Sequence, residues 1–437
     1  MSSLKKALLI NYYWPPSGGP AVQRWVDFAC LLLQENIELT VVTIDENVAT
    51  YPLTDYSLND KIPSAIKVYK TDTSELFWLY KKISGKKAVK PVGLSNQKEE
   101  SFKQKVAQFI RGNLFLPDPR KGWNRHAYQQ AKELLNTEKF TCIITAGPPH
   151  STHLVGLRLK KEFGIKWIAD FHDEWTGHWV LKQFYRTYLA NKIDRKLEKK
   201  VLQNADKVLA HCPASKDLLA KKVALQAAHK FHIIYMGYNA DCFQNNLLEI
   251  KTETFTIVYT GTIGSSYQPQ AFFKAIKNII NRFTELNIKF IFAGVIASEA
   301  RQSIQENNLE YYITDLGYIP HKEAIKTLKT ANLLLLINPV FEGEKRILPG
   351  KLFEYLAVKT PILNLASPDG QSAQMITKTN SGESFSHNST NEIEEFIEKQ
   401  LLLWKENNYK TVLNKSDVSH YSRQFAVKQL KAIIDTF

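Results

Sequence analysis

Residues 347–365 read ILPGKLFEYLAVKTPILNL, and this stretch decides how the rest of the chain is interpreted. Pro349 and Gly350 are typical of a turn that opens a helix, and a buried strand is predicted after the helix. The N-terminus of this helix has free N–H groups and the positive end of the helix dipole, both of which suit a phosphate. Lys351 adds a positive charge in the first turn, and Glu354, one turn later, can accept hydrogen bonds from a ribose diol. An amphipathic helix with a solvated Lys and Glu is the alternative interpretation.

The bulk composition indicates a two-domain globular protein. The chain has 437 residues, 44% hydrophobic and 23% charged, and its apolar runs are far shorter than a membrane span. The N-terminal apolar run lacks a small-residue cleavage site, which favours a first strand over a signal peptide. The four cysteines are scattered and are expected to be reduced, as in a cytoplasmic protein. The net charge of +14 calls for a phosphorylated ligand, an anionic membrane or nucleic acid as partner.

Strand and helix patterns alternate along the chain, which predicts α/β architecture with two doubly wound, Rossmann-like parallel sheets facing each other across a cleft. The predicted division is residues 1–236 for an N-terminal domain, 237–254 for a hinge, 255–415 for a C-terminal domain and 416–437 for a helix that crosses back. The sequence contains neither G-x-G-x-x-G after the first strand nor G-x-x-x-x-G-K-[ST]. These absences disfavour a dehydrogenase and a P-loop NTPase.

A glycine turn follows a strand in each half of the chain, and both turns are candidate ligand-binding loops. Gly18 and Gly19 occupy the first turn, and Gly261, Thr262 and Gly264 the second. Glycine lets a phosphate or sugar approach the backbone closely, although such turns also use glycine for packing alone.

Polar clusters follow two strands of the first half. His150 and His153 come after one predicted strand, and His172 and Asp173 after the next. Carboxyl ends of neighbouring parallel strands meet at the edge that carries ligand sites. A histidine in an ordinary loop or core position is the competing interpretation for each. No D-x-D motif and no defensible set of metal ligands is present, so no metal and no cofactor is expected.

The order of these motifs resembles that of retaining glycosyltransferases of the GT-B fold, in particular glycosyltransferase family 4 of bacterial polysaccharide and glycolipid synthesis. The resemblance spans nearly the whole chain. It rests on the following segments: PPSGGP at 15–20, HD at 172–173, GYNADCF at 237–243, YTGTIG at 259–264, DLGYIPHKEAIKTLKTANLLL at 315–335 and PGKLFEYLAVKTPIL at 349–363.

The resemblance implies that the N-terminal domain is the acceptor side, that the C-terminal domain binds the nucleotide-sugar, and that each candidate residue has a role. Glu354 matches the last acid of the family's E-x7-E motif, which holds the ribose of a UDP- or GDP-sugar donor. Lys351 and the amides near Pro349 and Gly350 would bind the diphosphate, beside Gly261, Thr262 and Gly264. Gly317 would border the base, and Gly18, Gly19 and His172 would lie near the transferred sugar. His172 and Asp173 would hold the donor sugar and help position the acceptor, and His150 and His153 would lie on the acceptor side.

Two departures from the family pattern concern charge. Arg346 occupies the place of the first acid of E-x7-E, and Ser265 follows Gly264 where the family has a basic residue nearby. Arg346 is therefore expected to supply positive charge to the leaving diphosphate, together with Lys351.

Residues 76–125 interrupt the alternation as a basic segment with twelve Lys or Arg. Phe102, Val106, Phe109 and Ile110 fall on one helical face, and the aromatics Trp78, Tyr80, Phe115 and Trp123 are expected to be exposed. The segment is interpreted either as an amphipathic insertion that lies on an anionic membrane or as a solvated helix packed on the sheet.

The sequence thus predicts a cytoplasmic enzyme, peripheral on the inner membrane face, that moves a sugar with retention and without a metal to a lipid-linked or polysaccharide acceptor. A nucleotide-sugar 2-epimerase or hydrolase on the same scaffold is the first alternative. A basic nucleic-acid-binding protein is the second, and it is disfavoured because the excess charge is concentrated in one segment. The sugar, base, acceptor and oligomeric state are left open.

Overall fold

The computed structural model describes residues 5–74, 102–243 and 252–437, apart from the side chains of Lys103, Gln104 and Leu225. The described chain divides into two compact units. Unit 1 comprises residues 5–74, 102–236 and 423–437, and unit 2 comprises residues 237–243 and 252–422. The chain therefore leaves unit 1 after Met236 and returns to it at Arg423.

Unit 1 is built on a seven-stranded parallel sheet of order β3-β2-β1-β4-β5-β6-β7. Its strands are β1 (Lys5–Ile10), β2 (Ile37–Ile44), β3 (Lys67–Thr71), β4 (Cys142–Gly147), β5 (Lys166–Phe171), β6 (Lys207–Ala210) and β7 (Phe231–Ile233). Its helices are α1 (Pro20–Gln34), α2 (Phe102–Leu114), α3 (Asn124–Thr137), α4 (Thr152–Phe163), α5 (Tyr188–Asn204), α6 (Pro213–Ala220) and α13 (Arg423–Asp435). The strand order reverses direction between β1 and β4, as in a doubly wound sheet.

Unit 2 repeats this plan with a six-stranded parallel sheet of order β10-β9-β8-β11-β12-β13. The strands are β8 (Thr254–Thr260), β9 (Asn287–Ala293), β10 (Ile313–Asp315), β11 (Leu333–Ile337), β12 (Ile362–Leu365) and β13 (Gly382–Phe385). The helices are α7 (Gln270–Arg282), α8 (Ser298–Glu306), α9 (His321–Lys329), α10 (Gly350–Val358), α11 (Gln371–Lys378) and α12 (Thr390–Glu406). The order again reverses next to the first strand, between β8 and β11.

The cores explain why these segments form these elements. β11 is the apolar run LLLLI with all five residues buried, as expected for a strand covered on both faces. α7 presents Phe272, Ile276 and Ile279 at helical spacing to the same core. In unit 1, the last helix α13 packs Leu430 and Ile434 into the cluster that includes residues of β1 and α1.

The two-sheet α/β fold confirms the predicted fold class, although the predicted cleft between the units stays a prediction. Trp123 was expected to be exposed, but this is wrong. Its ring is fully buried, and its indole N–H donates to Thr71 Oγ1 at the end of β3 over 2.8 Å. The sequence pattern did not predict β3, so it did not predict this burial. Trp78 and Tyr80 lie outside the described residues. No helix in the described part of the chain is long and apolar enough to cross a bilayer.

Candidate functional site

The entry of α10 in unit 2 lies beside the glycine turn that follows β8. Pro349 caps the helix in an extended conformation, and Gly350 is its first residue, as the sequence predicts. The cap makes no side-chain hydrogen bond, and Leu352 N donates to Pro349 O over 3.1 Å. The N–H groups of Gly350 and Lys351, which precede it, suit an acceptor outside the helix. β8 adjoins β11 at the point where strand order reverses, and ligands of such sheets bind at the carboxyl ends of these strands.

Lys351 extends from the first turn of α10 to this glycine turn. Its ammonium donates to Tyr259 Oη over 2.8 Å and lies 4.0 Å from the centre of the Tyr259 ring. A Cβ on Gly261 would lie 2.7 Å from Lys351 Nζ, so the amine sits directly against this glycine. Burial lowers the pKa of Lys351 to about 7, and nearby Glu354 opposes that shift. The amine is therefore poised to gain a proton when an anion arrives.

Backbone contacts hold the glycine turn in place. Gly261 has φ +108 and donates its N–H to Ala293 O over 2.7 Å, while Ile263 N donates to Val295 O over 2.8 Å. Tyr259 Oη also donates to Thr262 O over 2.8 Å, which links the turn to the partner of Lys351. A ligand at this turn would meet a preformed backbone rather than a mobile loop.

Glu354 lies one turn further along α10 and pairs with a histidine that the sequence analysis missed. Its Oε1 is 2.6 Å from Nε2 of His321, the first residue of α9. Gly317, with φ +60, lies in the loop that leads into α9, and its N–H donates to Asp315 Oδ1 over 2.9 Å. The loop predicted to border the base and the acid predicted to hold the ribose are thus joined through His321.

Arg346 and Gly264 also fall in this part of unit 2. Arg346 ends a short 3-10 turn at Glu344–Arg346, in the loop between β11 and α10, where its guanidinium packs against Gly343. Gly264 is buried and accepts a hydrogen bond from Tyr267 N over 3.1 Å. The predicted donor residues of unit 2 therefore all come from three loops and one helix entry at the carboxyl edge of one sheet.

Unit 1 has its own polar edge after β5 and β6. His172 and Asp173 follow β5 directly and are half-buried, and the His172 ring lies 6.1 Å from that of His211, which follows β6. Burial acts to raise the pKa of Asp173, yet the pKa is lowered on balance by His172, His178, His211 and His150 around it. Burial, assisted by His172, lowers the pKa of His211 to about 4.

His150 and His153, both predicted on the acceptor side, have different surroundings. The His150 ring stacks on Trp175 with 5.5 Å between centroids, and burial lowers its pKa to about 3. His153 has no exposed surface, its Nδ1 is 2.9 Å from Thr145 Oγ1, and its ring stacks on Phe171. His153 is therefore a packing residue in this conformation, because a side chain without exposed surface cannot contact an acceptor.

The glycine loop of unit 1 is pinned to a neighbouring segment. Gly18 N donates to Leu53 O over 2.9 Å, and Gly19, with φ +112, precedes the first residue of α1. Behind the loop, the α1 residue Arg24 forms a buried 2.7 Å ion pair with Asp170 at the end of β5. This pair connects α1, the helix after the glycine loop, to β5, the strand that directly precedes His172.

No group of three or more His, Cys, Asp or Glu residues suited to a metal ion occurs within residues 5–74, 102–243 and 252–437. The prediction of a metal-free reaction is untested by this observation.

One family model matches about a third of the chain. Residues 92–241 match the model described as Glycosyltransferase Family 4. This part of the chain matches family 4. No curated protein matches the chain at a significant level. The family 4 match lies mostly within unit 1, whereas the α10 entry and the glycine turn of Gly261 lie in unit 2.

Solved structures match along nearly the whole chain at low identity, which shows the fold alone. A sucrose-phosphate synthase from Thermosynechococcus elongatus is 15% identical with a TM-score of 0.57, covering 99% of this chain and 97% of that one. HepE from Anabaena, in complex with UDP and glucose, is 12% identical with a TM-score of 0.61, covering 99% and 100%. A UDP-GlcNAc 2-epimerase from Methanocaldococcus jannaschii is 11% identical with a TM-score of 0.53, covering 99% and 100%.

Together, the family 4 match and the fold confirm the predicted resemblance, the GT-B fold class and the assignment to glycosyltransferase enzymes. The roles of individual residues stay predictions. Tyr259, His321 and His211 were not predicted as site residues from the sequence. His211 directly follows a strand, so the rule that singled out His172 would also have found it. Tyr259 and His321 gave no such signal, since their partners lie 92 and 33 residues away.

Proposed function

We propose that this protein transfers a sugar from a nucleoside-diphosphate sugar to the hydroxyl of a lipid-linked or polysaccharide acceptor, with retention and without a metal. One observation carries the donor part of the proposal. Lys351, at the open N-terminus of α10, lies against the turn of Gly261, and Glu354 lies one turn further on. Lys351 and the N–H groups at the start of α10 would bind the diphosphate, and the Glu354 carboxylate would accept hydrogen bonds from the ribose. These groups follow one another along α10 as the diphosphate and the ribose do in the donor.

The chemistry asked of these groups is stabilisation of a leaving diphosphate. Negative charge grows on the phosphate oxygens as the bond to the anomeric carbon breaks. Lys351, Arg346 and the α10 amides would stabilise that charge, in place of a metal. In this proposal Gly18, Gly19 and His172 contact the transferred sugar, as the resemblance implies. Asp173 holds that sugar together with His172 and helps to position the acceptor, and His150 lies on the acceptor side. We further propose a cytoplasmic enzyme that works at the inner membrane face.

The donor assignment is tested by nucleotide binding. Lys351→Ala and Glu354→Gln should each weaken UDP or GDP binding about tenfold to a hundredfold, since each removes a charge-assisted hydrogen bond. Isothermal titration of UDP, GDP and ADP measures the affinities. Lys322→Ala and Glu323→Gln, both exposed on the neighbouring α9, are the matched controls. Wild-type affinity in both site variants would discard the assignment.

The reaction class is tested with the donor that binds best. A glycosyltransferase should consume the donor slowly alone and much faster with acceptor, and added EDTA should leave the rate unchanged. An epimerase or hydrolase on this fold would convert the donor at full rate without acceptor. Full-rate conversion of the donor without acceptor would contradict the transferase. A rate that EDTA abolishes and a divalent cation restores would contradict the metal-free step.

A further inference from the structure

One face of unit 1 gathers exposed apolar side chains from two helices. Their exposed fractions range from 38% to 81%. They are Phe102, Val106, Phe109 and Leu114 of α2, Tyr185 of the segment just before α5, and Tyr188, Leu189 and Ile193 of α5. We call these eight residues the α2–α5 surface. Exposed apolar residues scattered singly are normal, but a group of this kind marks an interaction site.

Contacts between the two segments fix them as one surface. Asn113, near the end of α2, donates from Nδ2 to Tyr185 O over 3.1 Å and accepts from Thr187 N over 2.7 Å. Gly112 packs so closely that a Cβ there would lie 2.5 Å from Phe184 O. Arg111 lies 4.8 Å above the Phe184 ring. The apolar stripe of α2 therefore leads directly to the segment from which α5 begins.

The exposed face of α5 continues from apolar to basic. Its exposed basic residues are Lys192, Arg195, Lys196, Lys199 and Lys200. The two acids of the same helix point inward. Asp194 is buried against Arg186 over 2.6 Å, and Glu198 is buried against Lys222 over 2.8 Å. Because both acids are buried, the solvent face of α5 carries positive charge alone.

We propose that the α2–α5 surface docks unit 1 on an anionic lipid bilayer. Aromatic and aliphatic side chains would enter the interface between headgroups and acyl chains, while the lysines of α5 contact lipid phosphates. Exposed Leu, Ile and Val favour a bilayer over a nucleic acid, since aliphatic groups gain nothing from a phosphate backbone. This inference rests on the membrane association included in the proposed function and names the surface for it. It uses none of the donor-site residues, so the vesicle assay and the nucleotide-binding assay can fail separately.

Vesicle co-sedimentation of the full chain tests the proposal. The protein should bind vesicles that contain phosphatidylglycerol and bind phosphatidylcholine vesicles far less. Lys196→Gln/Lys200→Gln should weaken binding about fivefold for each lysine removed. Tyr188→Ser/Leu189→Ser should weaken it about tenfold or more, since two inserted side chains are lost. Lys274→Gln/Lys289→Gln and Tyr311→Ser, at exposed positions of unit 2, should bind as the wild type does.

Three results would overturn the proposal. They are no binding of the wild type to the anionic vesicles, binding of both surface variants as tight as that of the wild type, or loss of binding in the unit 2 controls. Sedimentation velocity and a duplex-DNA binding assay address the other occupants. A dimer that Tyr188→Ser/Leu189→Ser abolishes, or tight DNA binding that Lys196→Gln/Lys200→Gln abolishes, would reassign the surface. Thermal unfolding of each variant verifies that the fold is kept.

Discussion

At the scale of the residue, Lys351 is distinguished by what holds its amine. An aromatic ring and a hydroxyl, both from Tyr259, contact the ammonium at 4.0 and 2.8 Å, whereas the nearest carboxylate in sequence, Glu354, is engaged by His321. Lys351 is half-buried, and within the described residues its ammonium forms no ion pair, so it loses solvation that these contacts replace only in part. Its pKa of about 7 follows from that burial.

Donor affinity should depend on pH through Lys351. The pKa is about 7 in the free protein, and a bound diphosphate stabilises the cation, so the pKa rises on binding and a proton is taken up above pH 7. Affinity should be flat below that pH and fall by up to about tenfold per pH unit above it. Calorimetric titration of a nucleotide sugar between about pH 6 and 9 measures this slope.

Lys351→Met is the control, since it keeps the bulk and removes the charge. Its affinity should be low and independent of pH in the same range. The same variant should be more stable than the wild type without nucleotide below pH 7. The lowered pKa means that the unfolded chain holds the proton more tightly, so burying the charged amine costs stability there. A persisting slope in Lys351→Met would assign the titration to another group.

At the scale of the element, the turn after β8 depends on two glycines that meet backbone to backbone. A Cβ on Gly294 would lie 2.0 Å from Gly261 O, and Gly261 itself has φ +108. Only residues without a side chain allow the strand ends to approach so closely in this conformation. The position of Lys351 depends on the same approach, because its amine fills the space beside Gly261.

Gly261→Ala should therefore reduce the free energy of nucleotide binding more than it reduces the free energy of unfolding. The new methyl group would meet Lys351 Nζ and force the amine aside, at a strain cost of about 1–3 kcal/mol. Gly164→Ala is the matched control, since Gly164 also has positive φ but nothing lies within 4 Å of its added Cβ. Isothermal titration and thermal unfolding are compared for both variants. Equal loss of nucleotide affinity in the two would refute the steric explanation.

At the scale of the whole molecule, the last helix completes the first unit. Arg423 at the start of α13 pairs with Asp27 of α1, and Lys5 of β1 donates to Ile434 O over 3.3 Å. Leu430 and Ile434 lie fully buried among residues of unit 1. Removal of this helix would expose the β1–α1 side of the core to water.

Leu430→Ala should destabilise unit 1 by about 2–5 kcal/mol, the usual cost of a large-to-small change in a core. Tryptophan fluorescence in urea can follow this, because Trp14, Trp25, Trp123, Trp167, Trp175 and Trp179 lie in unit 1 and only Trp404 among the described tryptophans lies in unit 2. Lys428→Ala, an exposed change on the same helix, should have little effect. An unfolding midpoint unchanged by Leu430→Ala would show that α13 contributes little.

The sequence predicted what depends on local pattern and missed what depends on packing. The α10 entry and the strand after it were predictable because Pro349, Gly350 and the apolar spacing act locally. The burial of Trp123 was not, since it requires β3, a short strand with mostly half-exposed residues. The positive face of α5 was also hidden, because it appears only once Asp194 and Glu198 turn inward to Arg186 and Lys222.

The return of the chain at Arg423 has a consequence for biosynthesis. On the ribosome, residues 237–422 emerge as one continuous stretch that contains every strand of its own sheet. The unit made first, in contrast, still lacks α13 when those residues are complete, and its β1–α1 side stays uncovered until α13 leaves the exit tunnel. Of the two units, the one whose strands are made first therefore finishes folding last, and a nascent chain stalled before residue 423 is expected to present an apolar face to chaperones.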